Sequence, residues 1–176
     1  MHLVRNPLPE ADHQPRRRKM TTRIVGCGNP QRMDDGAGIL VARRLRELGI
    51  CAEIQSGGAF ELIADWDREQ QVVLIDAVVT GAPAGTVHVW AGNPPCLSRT
   101  QHFSSHGFGL AEAFRLAQIL NCLPRQIRMY GVEGDQFDVG ERISPEVAAA
   151  IEQVAQQIAK EFAPAVHEEQ TVQFAD

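Results

Sequence analysis

A few polar side chains stand where the surrounding sequence gives no other reason for polarity. Asp34 and Asp35 end the polar part of the run Gly26-Cys27-Gly28-Asn29-Pro30-Gln31-Arg32-Met33-Asp34-Asp35-Gly36-Ala37-Gly38. Asp76 interrupts the apolar segment Val72-Val73-Leu74-Ile75-Asp76-Ala77-Val78-Val79, and His106 follows Ser104-Ser105. A carboxylate inside an apolar run is costly to bury unless it is paired, hydrogen-bonded or bound to a cation. Two carboxylates and one imidazole form a donor set that divalent transition metals accept, nickel and zinc among them. Asp35, Asp76 and His106 are therefore candidate metal ligands and candidates for metal-assisted chemistry. Each also has a plainer reading. Asp34 or Asp35 caps a helix and complements its dipole, Asp76 is a buried hydrogen-bonding group, and His106 is a surface or capping residue. Spacing alone leaves both readings open.

Other chemistries fit less well. A dinucleotide fingerprint has the form G-x-G-x-x-G. Gly26 and Gly28 satisfy its first two positions, but Gln31 occupies the third, and two carboxylates follow where a phosphate would need N–H groups and positive charge. No G-K-[ST], G-x-S-x-G or H-E-x-x-H segment occurs. His102 and His106 are four residues apart, but no Glu follows His102. Cys27 lies in the first loop and reads either as a small buried residue or as a nucleophile.

The elements that must position these groups follow from periodicity and punctuation. Arg23–Cys27 predicts a first strand, and Asp35–Leu48 a helix with apolar residues near helical spacing and Gly49 as its stop. Cys51–Gln55 predicts a strand broken by Gly57-Gly58, and Ala59–Trp66 a short helix. Gln71–Val79 is apolar enough for a strand buried on both faces. Thr86–Trp90 predicts a further strand, followed by a long irregular segment at Asn93–Ser105. Gly107–Asn121 predicts a helix, Gln126–Val132 a strand, and Ser144-Pro145-Glu146 the start of a helix running to about Phe162. This order implies an α/β fold: three layers, with a mostly parallel twisted sheet and helices on both faces. In such a sheet Asp35, Asp76 and His106 fall at strand–helix junctions, where sites form.

Composition bounds the rest. At 176 residues, 44% hydrophobic and 22% charged, the chain is expected to form one globular domain. A net charge of −5 argues against a nucleic-acid partner. No apolar stretch approaches the ~20 residues that span a bilayer, so no membrane association is expected. The four cysteines include no C-x-x-C pair, which disfavours structural zinc and fits reduced thiols in a cytoplasm. Residues 1–20, with three prolines and Arg16-Arg17-Arg18-Lys19, are expected to form a disordered extension. No hydrophobic segment follows the two arginines as a twin-arginine signal would require, and Met20 is an alternative start. The domain is expected over 21–163 and a flexible tail over 164–176.

Three segments, G-C-G-N-P-Q-R-M-D-D-G-A-G, V-V-L-I-D-A-V and S-S-H-G-F-G-L-A-E-A, resemble the signature segments of the hydrogenase maturation proteases. The resemblance runs from about Ile24 to Ile158. Members of this family trim the C-terminus of the nickel–iron hydrogenase large subunit. The resemblance implies a twisted sheet with flanking helices, and it implies that Asp35, Asp76 and His106 bind metal. That metal would be nickel already loaded into the precursor, and the product would be a large subunit freed of its C-terminal peptide. Many members carry Asp-Gly-Gly where this chain has Ser56-Gly57-Gly58, and serine supplies no carboxylate.

The expected activity is thus metal-assisted hydrolysis or metal-gated recognition of a precursor, requiring ionised carboxylates and a neutral imidazole. A non-catalytic nickel-dependent chaperone of the large subunit is the rival that Ser56 keeps open. A nucleotide-binding α/β enzyme is the third reading.

Overall fold

The computed structural model describes residues 21–68, 70–92 and 110–162. The expected N-terminal extension, the irregular segment at 93–105, His106 and the C-terminal tail lie outside the described residues.

Strand β1, Thr22–Cys27, leads through a 3-10 turn at Met33–Gly36 into helix α1, Ala37–Glu47. Then come β2 (Glu53–Gln55), α2 (Ala59–Ile63), β3 (Gln71–Val78) and β4 (Val87–Ala91). Helix α3 (Leu110–Ile119), β5 (Gln126–Glu133) and α4 (Pro145–Phe162) complete the described elements. They form one five-stranded sheet in the order β2-β1-β3-β5-β4. The first four strands in that order are parallel, and β4 pairs antiparallel with β5. The expected mostly parallel sheet is present, with one reversed edge strand.

Most sequence-predicted elements are present: β2, α2 and β3 are shorter than expected, β1 and β5 are one residue longer, and β4 is shifted by one. The first helix begins at Ala37 rather than Asp35, because residues 33–36 wind as a tighter 3-10 turn. Its end follows the glycine stop: Gly49 N–H donates to Arg46 O at 3.0 Å and Ile50 N–H to Leu45 O at 2.9 Å, satisfying carbonyls the helix leaves open.

β3 is the central element, and its residues from Val72 onward are buried. Val73, Ile75 and Ala77 join one core with α1 and α4, whereas Val72, Leu74 and Val78 join a second core with α2 and α3. Each such aliphatic side chain gains roughly 1.5–3 kcal/mol on burial. That stabilisation is what allows the strand to carry a carboxylate, Asp76, into the interior.

Helix α1 approaches the sheet unusually closely at Gly38. A methyl group on Gly38 would lie 2.2 Å from the carbonyl oxygen of Ile75 and 2.4 Å from that of Cys27. The helix start is thereby pressed against the ends of both β1 and β3, and the acidic turn before it is held over the same place.

Candidate functional site

Asp34 and Asp35 are adjacent and fully buried, but they serve different surroundings. The Asp34 carboxylate accepts hydrogen bonds from the N–H groups of Asp135 (3.1 Å), Gln136 (3.0 Å) and Ser144 (2.8 Å), and from the Ser144 hydroxyl (2.6 Å). Burial pushes the Asp34 carboxyl up, but the hydrogen bonds, led by those from Ser144, outweigh it and hold the group below the usual carboxylate range.

Asp35 is held through its backbone. Its carbonyl accepts from Asn29 N–H and its own N–H donates to Arg32 O, both at 3.1 Å. Its charge reaches Asp76, which is 3% exposed on β3. Gly28 lies between the two acids and requires the absence of a side chain. With φ at +130°, its added methyl would stand 2.0 Å from Asp35 O and 3.6 Å from Asp76 Oδ1.

The Asp76 carboxyl is pushed up to about 8, first by burial and then by the negative charge of Asp35. A 2.9 Å hydrogen bond from Ala77 N–H to its Oδ1 offsets this in part. Two buried acids repelling one another are unfavourable alone and suited to a shared cation. Burial, and then Asp76, also push the Cys27 thiol well above its ordinary range. Cys27 therefore stays a thiol at neutral pH and lacks the thiolate a nucleophile needs.

Asp76 opens on a partly enclosed cleft. Cys27, Leu62 and Leu110 give it apolar walls, and Gln55 and Ser56 give it polar groups from the end of β2. Sequence reasoning foresaw Asp35 and Asp76, and the fold brings these two together. His106 lies outside the described residues, and among the described residues no group of three His, Cys, Asp or Glu side chains could hold a metal ion.

Two features were missed in the sequence. One is the Asp34–Ser144 contact. The other is Glu133, buried at the end of β5, which accepts from Thr80 N–H (2.6 Å), Thr80 Oγ1 (2.9 Å) and Gly81 N–H (2.9 Å) and contacts His88 Nε2 at 3.2 Å. The acid ending the apolar segment Met129-Tyr130-Gly131-Val132-Glu133 was its signal in the sequence. Its bonds fasten the loop between β3 and β4.

A parallel-sheet α/β domain with a buried acid pair at its strand ends is the frame; the comparisons give the family. The sequence pattern described as HycI, hydrogenase maturation protease, matches residues 53–161, more than half of the chain. The Hydrogenase 2 maturation protease of Escherichia coli (strain K12) is 25% identical over 141 residues, covering 77% of this chain and 86% of that one. The [NiFe] hydrogenase maturation protease HybD from Thermococcus kodakarensis superposes with a TM-score of 0.65 at 27% identity, over 82% of this chain and all of that one, 100%. The solution structure of an endopeptidase from Escherichia coli gives a TM-score of 0.69 at 24% identity over 80% of this chain and 91% of that one, a likeness of fold. The chain belongs to the hydrogenase maturation protease family, a family of peptidases. No described helix is long and apolar enough to cross a membrane.

Proposed function

We propose that this protein is the endopeptidase that removes the C-terminal extension of a nickel–iron hydrogenase large-subunit precursor already carrying nickel. Asp35, Asp76 and His106 recognise that nickel, which arrives with the substrate. The observation that carries the reading is the buried Asp35–Asp76 pair: burial first, and then the charge of Asp35, raise Asp76 to about 8, and a divalent cation would offset both. The chemistry of the two side chains fits: carboxylate oxygens together with one imidazole are an acceptable donor set for nickel. His106 precedes Leu110 by four residues, and Leu110 lines the cleft that Asp76 opens on. Four residues of extended chain reach about 13–14 Å, so the sequence allows the imidazole to join the pair.

In this mechanism the two carboxylates bind and orient the loaded end of the precursor. The cleft walls, Leu62 and Leu110, exclude water from one side of the chain to be cut, and the Gln55 and Ser56 groups orient its polar atoms. Nickel held by these residues would supply positive charge able to polarise a carbonyl of the precursor. Cys27 contributes a neutral thiol to the wall. The partner is the precursor, not a nucleic acid, as the net charge of −5 favours. The setting is a reducing cytoplasm, which suits the free thiols Cys27, Cys51 and Cys122.

A processing assay on nickel-loaded precursor tests the reading. Wild-type protein should shorten the precursor, and Asp76→Asn and His106→Ala should each lose at least about a hundredfold in rate. Normal cleavage by His106→Ala rejects the three-residue site. The nickel-dependent chaperone remains the second reading because Ser56, where many members have aspartate, lines the cleft. Precursor that is bound and never shortened selects it.

A further inference from the structure

The contacts that fix Asp35 begin one residue before it. A helix start needs one side-chain acceptor, whereas the Asp34 carboxylate collects four donors, all from residues 135–144. The same two segments are laced together along their length. Asp34 N–H donates to Gln136 O (3.0 Å), Met33 N–H to Gly140 O (2.8 Å), Gly140 N–H to Gln31 O (2.8 Å), and the Arg32 guanidinium to Phe137 O (2.9 Å). The loop from β5 is itself anchored to the strand of the second acid, since Gly134 N–H donates to Val78 O at 3.0 Å, two residues beyond Asp76. Gly134 packs closely here: an added methyl group would stand 3.1 Å from Asp34 Cβ and 2.5 Å from the tip of the Phe137 ring. A short path thus runs from Asp76 along β3 to Val78, across a hydrogen bond to Gly134, along the chain to Asp135, whose N–H bonds the Asp34 carboxylate, and on to Asp35.

We infer that Asp34 and Ser144 are positioning residues, a clamp that sets Asp35 against Asp76. The inference rests on the reading of Asp35 and Asp76 as the nickel-recognising pair. Neither clamp residue touches substrate. They act on the 3-10 turn, and a site displaced by about 1 Å can lose about a hundredfold in function.

Ser144→Ala removes the hydroxyl donor and keeps the Ser144 N–H and the start of α4. Hydrogen exchange reads the turn without metal. The amides of Asn29 and Asp35, which bond within it, should exchange about tenfold faster or more, with β1 and β3 unchanged. Ni²⁺ titration reads the function: affinity should fall about tenfold to a hundredfold in the wild-type background and no further in an Asp35→Asn background. Ser144→Thr, which restores a hydroxyl, should recover both. Unchanged exchange at Asn29 and Asp35, or the same loss of affinity in both backgrounds, overturns the clamp. Wild-type protein that binds no Ni²⁺ overturns the reading of the acid pair instead, and the exchange measurement then still decides the clamp.

Discussion

The carboxyl of Asp76 lies within reach of the charge of Asp35, and burial first, then that charge, raise its midpoint to about 8. An aspartate in the unfolded chain titrates near 3.9. The folded value is the higher one, so the folded state holds its proton more tightly. The stability linked to this proton is fully present below about pH 4 and is lost as pH rises towards about 8. Metal-free wild-type protein should therefore lose roughly 2 kcal/mol or more of unfolding free energy between pH 5 and 8 relative to Asp76→Asn, which has no such proton. Denaturant titrations of both proteins across that range check this. Parallel curves for the two would mean that Asp76 is ionised in the fold.

The close approach of α1 to the sheet sets a steep requirement at two glycines. Gly28→Ala and Gly38→Ala should each cost more than about 3 kcal/mol, because the new methyl would meet backbone oxygens with nowhere to move. Gly81→Ala is the control. Gly81, like Gly28, has a positive φ, +90°, but open space around it, so its change should cost about 1 kcal/mol. Equal losses at Gly28 and Gly81, measured by chemical denaturation, would show that backbone conformation rather than contact governs Gly28, and a loss under about 1 kcal/mol at Gly38, whose φ is ordinary, would show that the helix can shift away from the sheet.

Thiol reactivity separates Cys27 from Cys51. Cys51 is exposed, while Cys27 is buried beside Asp76 with its thiol pushed up. Alkylation of native protein at pH 8, followed by peptide mass analysis, should label Cys51 at least about a hundredfold faster than Cys27. Rapid labelling of Cys27 with parallel loss of processing would restore it as a nucleophile.

Glu133 holds the loop after β3 with both oxygens, accepting from Thr80 and Gly81. Glu133→Gln replaces one acceptor with a donor facing donors, and should cost about 2–3 kcal/mol in unfolding free energy. A change under about 0.5 kcal/mol would mean the loop is held mainly by its backbone bonds, such as Gly85 N–H to Glu133 O.

What the sequence made legible was whatever depends on neighbours along the chain. Asp76 was visible because an acid inside Val72–Val78 conflicts with its surroundings, and the end of α1 because Gly49 follows an amphipathic run. The reversed direction of β4 was not visible, since alternation marks a strand and not its direction. The role of Asp34 was hidden for a similar reason. Its donors lie more than 100 residues away and three of the four are backbone N–H groups, which every residue but proline carries. Asp34 and Asp35 look interchangeable as letters, and the path of the loop from β5 decides which is held and which faces Asp76.

The strand order β2-β1-β3-β5-β4 has a consequence for where the cleft lies. After β1 the chain departs toward one edge of the sheet, and after β3 toward the other. The connections leaving these two adjacent strands diverge, so a gap opens between them at a topological switch point. The opening beside Asp76 follows from the chain path, and small residues along its walls, Gly28, Gly57, Gly58 and Ala59, keep it clear. Substitutions at those small residues can reshape or fill its walls, while its place between β1 and β3 is set by the strand order.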